Sequence, residues 1–393
     1  MDRLPSLTLV TFLLLVLVIP TASFSAQSPF DGCDLGVVAE TGAEWAICMP
    51  ERIPGLTWNG DLIIYAHGYV PDLGQPPSIP VDQYVLPDGT PFPDLANQLG
   101  YAFATTSFRT NGLAVKDGVA DIMDLLGEFK EQHPLKRMSH VYLFGASEGG
   151  LIATRAIEQH QAQFDGGIAA CGPIGDFRMQ VNYVGDMRVL FDYFFPGKLP
   201  PTAIEIPESL MLGWEAVYAP AVAYALSQNA AATVQLLHVT QAPIDQLDPA
   251  TTALETVLGV LWYNVYGTND AYVKMGGNPY DNADHTYVGS ADDAALNQAV
   301  MRYRADRNAL ASIGAHYQTT GRLKTPLVTL HNTLDPVVPY EHALLYREKV
   351  IDAGASSLYT HIPVQSYGHC SFSTAEIVGA LNVLLDLVQE SGN

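Results

Sequence analysis

The sequence predicts an α/β fold, a mostly parallel sheet with helices on both faces, interrupted by a large helical cap insertion. Three observations lead there. Short apolar runs alternate with helical patterns through the first 171 residues and again after 326. One of these runs opens through Gly145-Ala146-Ser147-Glu148-Gly149, a G-x-S-x-G sequence, directly into a helical pattern. Between 172 and 321 the alternation stops and the sequence becomes helical and loop-like.

Taken in order, strand-like runs at 35–40 and 45–49 precede the strand that begins at Leu62 and runs into His67-Gly68-Tyr69. A Pro-rich connection over 71–93 leads to a strand at 101–108. Val119, Ile122, Met123, Leu126 and Phe129 recur at three- and four-residue spacing, which predicts an amphipathic helix over 118–129. The strand before the serine starts at Val141, its helix covers 151–159, and the next strand, 167–171, ends at Cys171. After the insertion come a strand at 326–330, a helix at 341–353, a strand at 357–364 and the loop Tyr367-Gly368-His369-Cys370. In such a sheet the site belongs at the carboxyl ends of the strands.

The residues at those ends have a chemical order. A serine in a tight strand-to-helix turn needs flanking glycines, because a Cβ there collides with the neighbouring strand and helix. The turn also places the hydroxyl beside a helix N-terminus, where negative charge is favoured. Ser147 is therefore the candidate nucleophile, with the N–H of Glu148 as one oxyanion donor and that of Tyr69, freed by the turn at Gly68, as the other. Asp335, in the segment after the strand at 326–330, is the candidate acid. His369, aimed by Gly368, is the candidate base. Asp176, just past Cys171, is the reserve for the acid. The side chain of Glu148 reads as a helix N-terminal charge, and His331 and His342 read as structural.

With these residues in place the chain resembles the α/β-hydrolase superfamily, and within it secreted bacterial esterases and peptidase-like serine hydrolases that end in a Gly-His-Cys loop. Residues 108–115 and 276–280 are similar to that group as well. The resemblance implies a triad of Ser147, Asp335 and His369 with oxyanion donors Tyr69 and Glu148. It implies no substrate. The chain divides into a core over 26–174 and 322–393 and a cap over 175–321.

Composition bounds the rest. The 41 acidic against 19 basic residues give a formal charge of -22, which argues strongly against nucleic acid and anionic membrane surfaces as partners and suits a soluble exported protein. Residues 1–25 read as a secretory signal peptide: the apolar run 7–20 is too short for a comfortable bilayer span and is followed by small polar residues, with a retained membrane anchor as the alternative. A secreted chain, extracellular or periplasmic and without stable membrane anchoring, meets an oxidising compartment. There, Cys33 pairs with Cys48 across a hairpin turned at Thr41-Gly42, which leaves Cys171 with Cys370; buried free thiols are the alternative. No metal or cofactor motif stands in the chain, and Asp281, Asp284, Asp292 and Asp293 lack the spacing of a calcium loop.

The expected function is hydrolysis of carboxylic esters by a serine hydrolase, on a small-molecule or polymeric substrate: an aryl or feruloyl ester, a lipid or a polyester. Most of the cap aromatics from Phe177 to Tyr266 are expected to form the cap's own core, and the rest to line an apolar acyl or aryl pocket over Ser147. One rival is a secreted aminopeptidase-like enzyme that holds a substrate amine on Glu205, Glu208 or Glu215. The other is a binding protein that keeps the fold without the chemistry.

Overall fold

The computed structural model describes residues 28–391, so the expected signal peptide lies outside the described residues. Strands β1 (Asp34–Val37), β2 (Glu44–Cys48), β3 (Leu62–Ala66), β4 (Ala102–Thr106), β5 (Val141–Ala146), β6 (Gly166–Ala170), β7 (Leu327–Leu334) and β8 (Tyr359–Tyr367) form an eight-stranded sheet. Their order is β1-β2-β4-β3-β5-β6-β7-β8. β2 is antiparallel to β1 and β4, and the remaining pairs are parallel.

The helices follow in chain order: α1 (Phe92–Gln98), α2 (Val115–Gln132) and α3 (Glu148–Gln159) before β6. Between β6 and β7 come α4 (Phe177–Phe194), α5 (Glu208–Gly213), α6 (Ala219–Gln228), α7 (Ala230–Thr240), α8 (Pro249–Met275), α9 (Asp293–Ala299) and α10 (Arg307–His316). α11 (Glu341–Asp352) precedes β8, and α12 (Thr374–Ser391) ends the described chain. No helix among the described residues is long and apolar enough to cross a membrane.

Strands covered on both sides must be apolar on both, and these are. In β3, Leu62, Ile64 and Ala66 pack with α2 and α3, while Ile63 packs with α1 and α12 on the opposite face. The insertion has a separate apolar core built from α4 to α8, with Phe191, Phe195, Trp214 and Leu261 inside it. Ala309 and Ile313 of α10 leave that core and pack under α2 and α3 instead.

Two helices go beyond the sequence expectation. α1 lies within the Pro-rich connection, with Pro93 in its first turn, where a missing N–H costs nothing. α12 follows the histidine loop, and its start carries a local signal: Ser373 and Glu376 bond each other's main-chain N–H in a capping box. Cys33–Cys48 and Cys171–Cys370 are both disulfide-bonded, and no described cysteine is free.

At two points α3 meets the sheet with no side chain between. A Cβ at Gly145 would stand 2.0 Å from the Gly149 carbonyl oxygen, and one at Gly149 would stand 2.0 Å from that of Ala66. Those obstacles are backbone and cannot rotate away. Gly145→Ala is therefore expected to destabilise the protein by about 3 kcal/mol or more, read from chemical denaturation or lost soluble yield; a variant as stable as wild type would contradict this packing.

Candidate active site

Ser147 joins β5 to α3 with φ 56° and ψ -123°, a left-handed conformation that a non-glycine residue holds only when its surroundings impose it. The glycine contacts just described impose it. His369 Nε2 lies 2.8 Å from Ser147 Oγ, and His369 Nδ1 lies 2.8 Å from Asp335 Oδ2. Asp335 is fully buried, and its other oxygen, Oδ1, accepts the main-chain N–H groups of Val337 and Val338 at 2.9 Å. With a carboxylate against Nδ1, the imidazole proton belongs there, and Nε2 is left to accept from the serine hydroxyl. The three residues stand beyond the carboxyl ends of β5, β7 and β8.

Several contacts hold this line of groups in place, and of these only the Cys171–Cys370 bond was expected from the sequence. The buried side chain of Asn332 donates to Ser366 Oγ at 2.7 Å and to the Ser371 carbonyl at 2.9 Å, and accepts the Ser371 N–H at 3.1 Å, which pins both ends of the histidine loop. The Cys171–Cys370 disulfide ties that loop to the end of β6, whose Ala170 carbonyl accepts the Ser147 N–H at 2.9 Å. His331, read from sequence as structural, sits with Nε2 3.5 Å from Asp335 Oδ2 and 2.9 Å from the Val338 carbonyl. Burial lowers its pKa, which disfavours a second charge beside the acid. Asp176, the reserve acid, is committed elsewhere: it accepts from the Arg178 N–H as the cap of α4 and from Gln318 Nε2.

Both expected oxyanion donors border the serine, and neither N–H finds an acceptor among the described residues. The Gly68–Tyr69 peptide is held on both sides. His67 Nδ1 lies 2.7 Å from the Gly68 carbonyl, and burial drives the His67 pKa down to about 4, so the ring is neutral and donates from Nδ1. In a trans peptide the N–H points opposite to that carbonyl, which directs the Tyr69 N–H away from His67. Gln83 completes the clamp, accepting from the Gly68 N–H at 2.8 Å and donating to the Tyr69 carbonyl at 3.3 Å.

The Glu148 side chain departs from expectation. Instead of standing free as a helix-end charge it is buried, with Oε1 accepting the Ala114 N–H at 2.7 Å at the start of α2. Burial raises its pKa to about 8, against an opposing pull from Lys274.

Ser147 opens onto two cavities. One, of about 110 Å³, lies between α4 and α8 and is walled by Phe177, Val181, Val184, Tyr280 and Val337. The other, of about 350 Å³, runs between the sheet and α12 and contains His369. Tyr69, Ser147 and Tyr263 border both. Glu205, Glu208 and Glu215 are exposed and border neither. Among the described residues the one His/Cys/Asp/Glu cluster of metal-binding dimensions is Cys171, His369 and Cys370, whose sulfurs are bonded to each other and offer no thiolate. Asp281 and Asp293 accept main-chain N–H groups, Asp292 caps α9 and Asp284 pairs with Arg304.

Two outcomes follow from this geometry. The folded Glu148 pKa lies above its ordinary 4.5, so between about pH 4.5 and 8 the folded state binds the extra proton and stability falls as pH rises. Glu148→Gln is expected to remove that slope, so that it gains on wild type by up to a few kcal/mol in denaturation midpoints followed across the window. Second, Cys171→Ser/Cys370→Ser, which frees the histidine loop, is expected to lower kcat by about tenfold or more. Cys33→Ser/Cys48→Ser, remote from the loop, is expected to affect stability instead; equal kcat for the two double variants would refute the brace.

A family model described as serine aminopeptidase, S33, matches residues 110–210, which include the elbow. No curated protein sequence matches the chain. Among solved structures it is similar to feruloyl esterase B from Aspergillus oryzae, at 14% identity over 87% of this chain and 73% of that one, with a TM-score of 0.48. An esterase from Pyrococcus furiosus is similar at 11% identity over 92% and 90%, with a TM-score of 0.43. The acylaminoacyl peptidase of Pyrococcus horikoshii is similar at 15% identity over 86% of this chain, with a TM-score of 0.42, and this chain spans 37% of its length. The strand order, the serine on its elbow, and the acid and histidine that follow it in chain order are an α/β-hydrolase fold arrangement, similar over the elbow segment to the serine aminopeptidase family model.

Proposed function

We propose that the protein hydrolyses carboxylic esters through an acyl-enzyme intermediate, outside the cytoplasm. The observation that carries the reading is the unbroken line Ser147 Oγ, His369, Asp335, with 2.8 Å at each junction. As Oγ attacks the ester carbonyl, His369 Nε2 takes the serine proton and Asp335 offsets the charge on the imidazolium. The N–H groups of Tyr69 and Glu148 receive the oxyanion. The bond from acyl carbon to alkoxy oxygen then breaks, and His369 returns the proton to the departing alcohol. Water repeats the route, releasing the acid and restoring the serine.

Esters are favoured over aminoacyl substrates by the walls of the site. An aminopeptidase needs a negative charge for the substrate amine, and the one carboxyl bordering the two cavities is Glu148. With its pKa near 8 it is mostly protonated at neutral pH, and it is bonded to Ala114. The apolar walls suit an uncharged substrate instead. Retention of every catalytic position counts against a purely binding role. Two disulfides support export, since they persist in an oxidising compartment.

Ser147→Ala is expected to abolish turnover of p-nitrophenyl esters while leaving the folded spectrum intact. Asp335→Asn is expected to lower kcat by about a hundredfold or more, because an amide there no longer selects the Nδ1–H tautomer. Hydrolysis of aminoacyl anilides in preference to esters would move the protein to the peptidases. Ester turnover that survives Ser147→Ala would remove the assignment altogether.

A further inference from the structure

The two cavities are not equivalent, and the difference is chemical. His369 borders the cavity against α12 and does not border the cavity under α4 and α8. Because His369 must deliver its proton to the leaving oxygen, the alcohol half of an ester lies on the α12 side, and the acyl half, retained on Oγ, lies under the insertion. The alcohol cavity is walled by Tyr65, Phe92, Phe144, Phe372 and Ile377, so it takes an apolar group.

Of the buried side-chain polar atoms without a hydrogen-bond partner among the described residues, one borders the acyl cavity. Gln180 donates from Nε2 to the Val337 carbonyl at 2.8 Å, which fixes the amide's orientation and leaves Oε1 buried with no donor among the described residues. Its polar neighbours are occupied: Asn264 holds Arg188 and the Ala203 carbonyl, and Asn278 holds Tyr280 and the Arg304 carbonyl. Glu148 is engaged by Ala114. A buried acceptor left without a donor is unfavourable, and a substrate hydroxyl in this cavity relieves it.

We infer that the substrate is an ester apolar on both sides of the scissile bond, whose acyl group carries one hydroxyl that donates to Gln180 Oε1 and whose alcohol is a bulky apolar group seated between the sheet and α12. This rests on the ester-hydrolase reading above and names its substrate class. Hydroxyaryl and hydroxyalkyl acids both meet the acyl requirement. Gln180 is then the residue that reads the acyl group, since a site built to bond a hydroxyl discriminates strongly against the analogue that lacks it.

The test uses methyl and benzyl esters of phenylpropanoic acid and para-hydroxyphenylpropanoic acid, with p-nitrophenyl acetate as the reference. In wild type, kcat/KM is expected to favour the hydroxylated acyl group by about tenfold or more, and benzyl over methyl by about tenfold or more. Gln180→Met should bring the first ratio towards one while moving the second much less. Ile377→Trp, or Leu86→Trp from the facing wall should the first fold poorly, narrows the alcohol cavity and should lower the second ratio while moving the first much less. Flat wild-type ratios, or variants that shift both ratios together, would overturn the inference. Ser147-dependent cleavage of p-nitrophenyl acetate alone, with none of the phenylpropanoates hydrolysed, would overturn it and leave ester hydrolysis standing. Loss of acetate cleavage as well would remove both.

Discussion

The approach of α3 to the sheet through Gly145 and Gly149 is the constraint on which the rest of the site depends. Backbone touches backbone there, so the turn between β5 and α3 has a single workable path, and Ser147 is held at positive φ by that path rather than by its own preference. Everything else is registered to this point. His369 reaches Oγ because β7 and β8 lie on the same sheet as β5, and Asp335 reaches His369 because β7 carries it just past the sheet's edge. Strain at the serine is thus compensated by the packing of two sheet faces and their helices.

A second layer converts a correct fold into an ordered site. Asp335 has both oxygens engaged, so its carboxylate has one orientation, and His331 lies against the same oxygen as His369. Gln83 and His67 do for the Gly68–Tyr69 peptide what Asn332 does for the histidine loop. These are neutral hydrogen bonds, made away from solvent, where they hold direction without introducing competing charge.

The fold was legible in the sequence because parallel strands, being covered on both faces, announce themselves as apolar runs, and because an elbow serine demands glycines beside it. Asp335 and His369 were legible for a related reason: each follows a strand, and the chain order leaves few places for them. Cys33 and Cys48 face each other across a short hairpin, which is a local property. What stayed hidden depends on distant chain. Glu148 looks like an exposed charge at the start of its own helix, and only folding brings the N-terminus of α2 onto it. Gln83 lies in a Pro-rich stretch with no pattern of its own, and Gln180 gains meaning only when Val337, 157 residues away, occupies its amide. α12 had a readable capping box, whereas α1, seven residues long, had too little periodicity to stand out.

The Cys171–Cys370 bond also changes what kind of object the insertion is. The two cysteines are 199 residues apart, and the whole of α4 to α10 lies between them. The insertion is therefore part of a covalently closed ring rather than an arm hanging from two strands. A protease that cuts one exposed loop of that ring does not release a fragment: the pieces stay joined through sulfur, with the nucleophile on one side of the cut and the acid and histidine on the other. Wear on the outer face of the enzyme in a protease-rich medium then opens the ring without dispersing the machinery that it encloses.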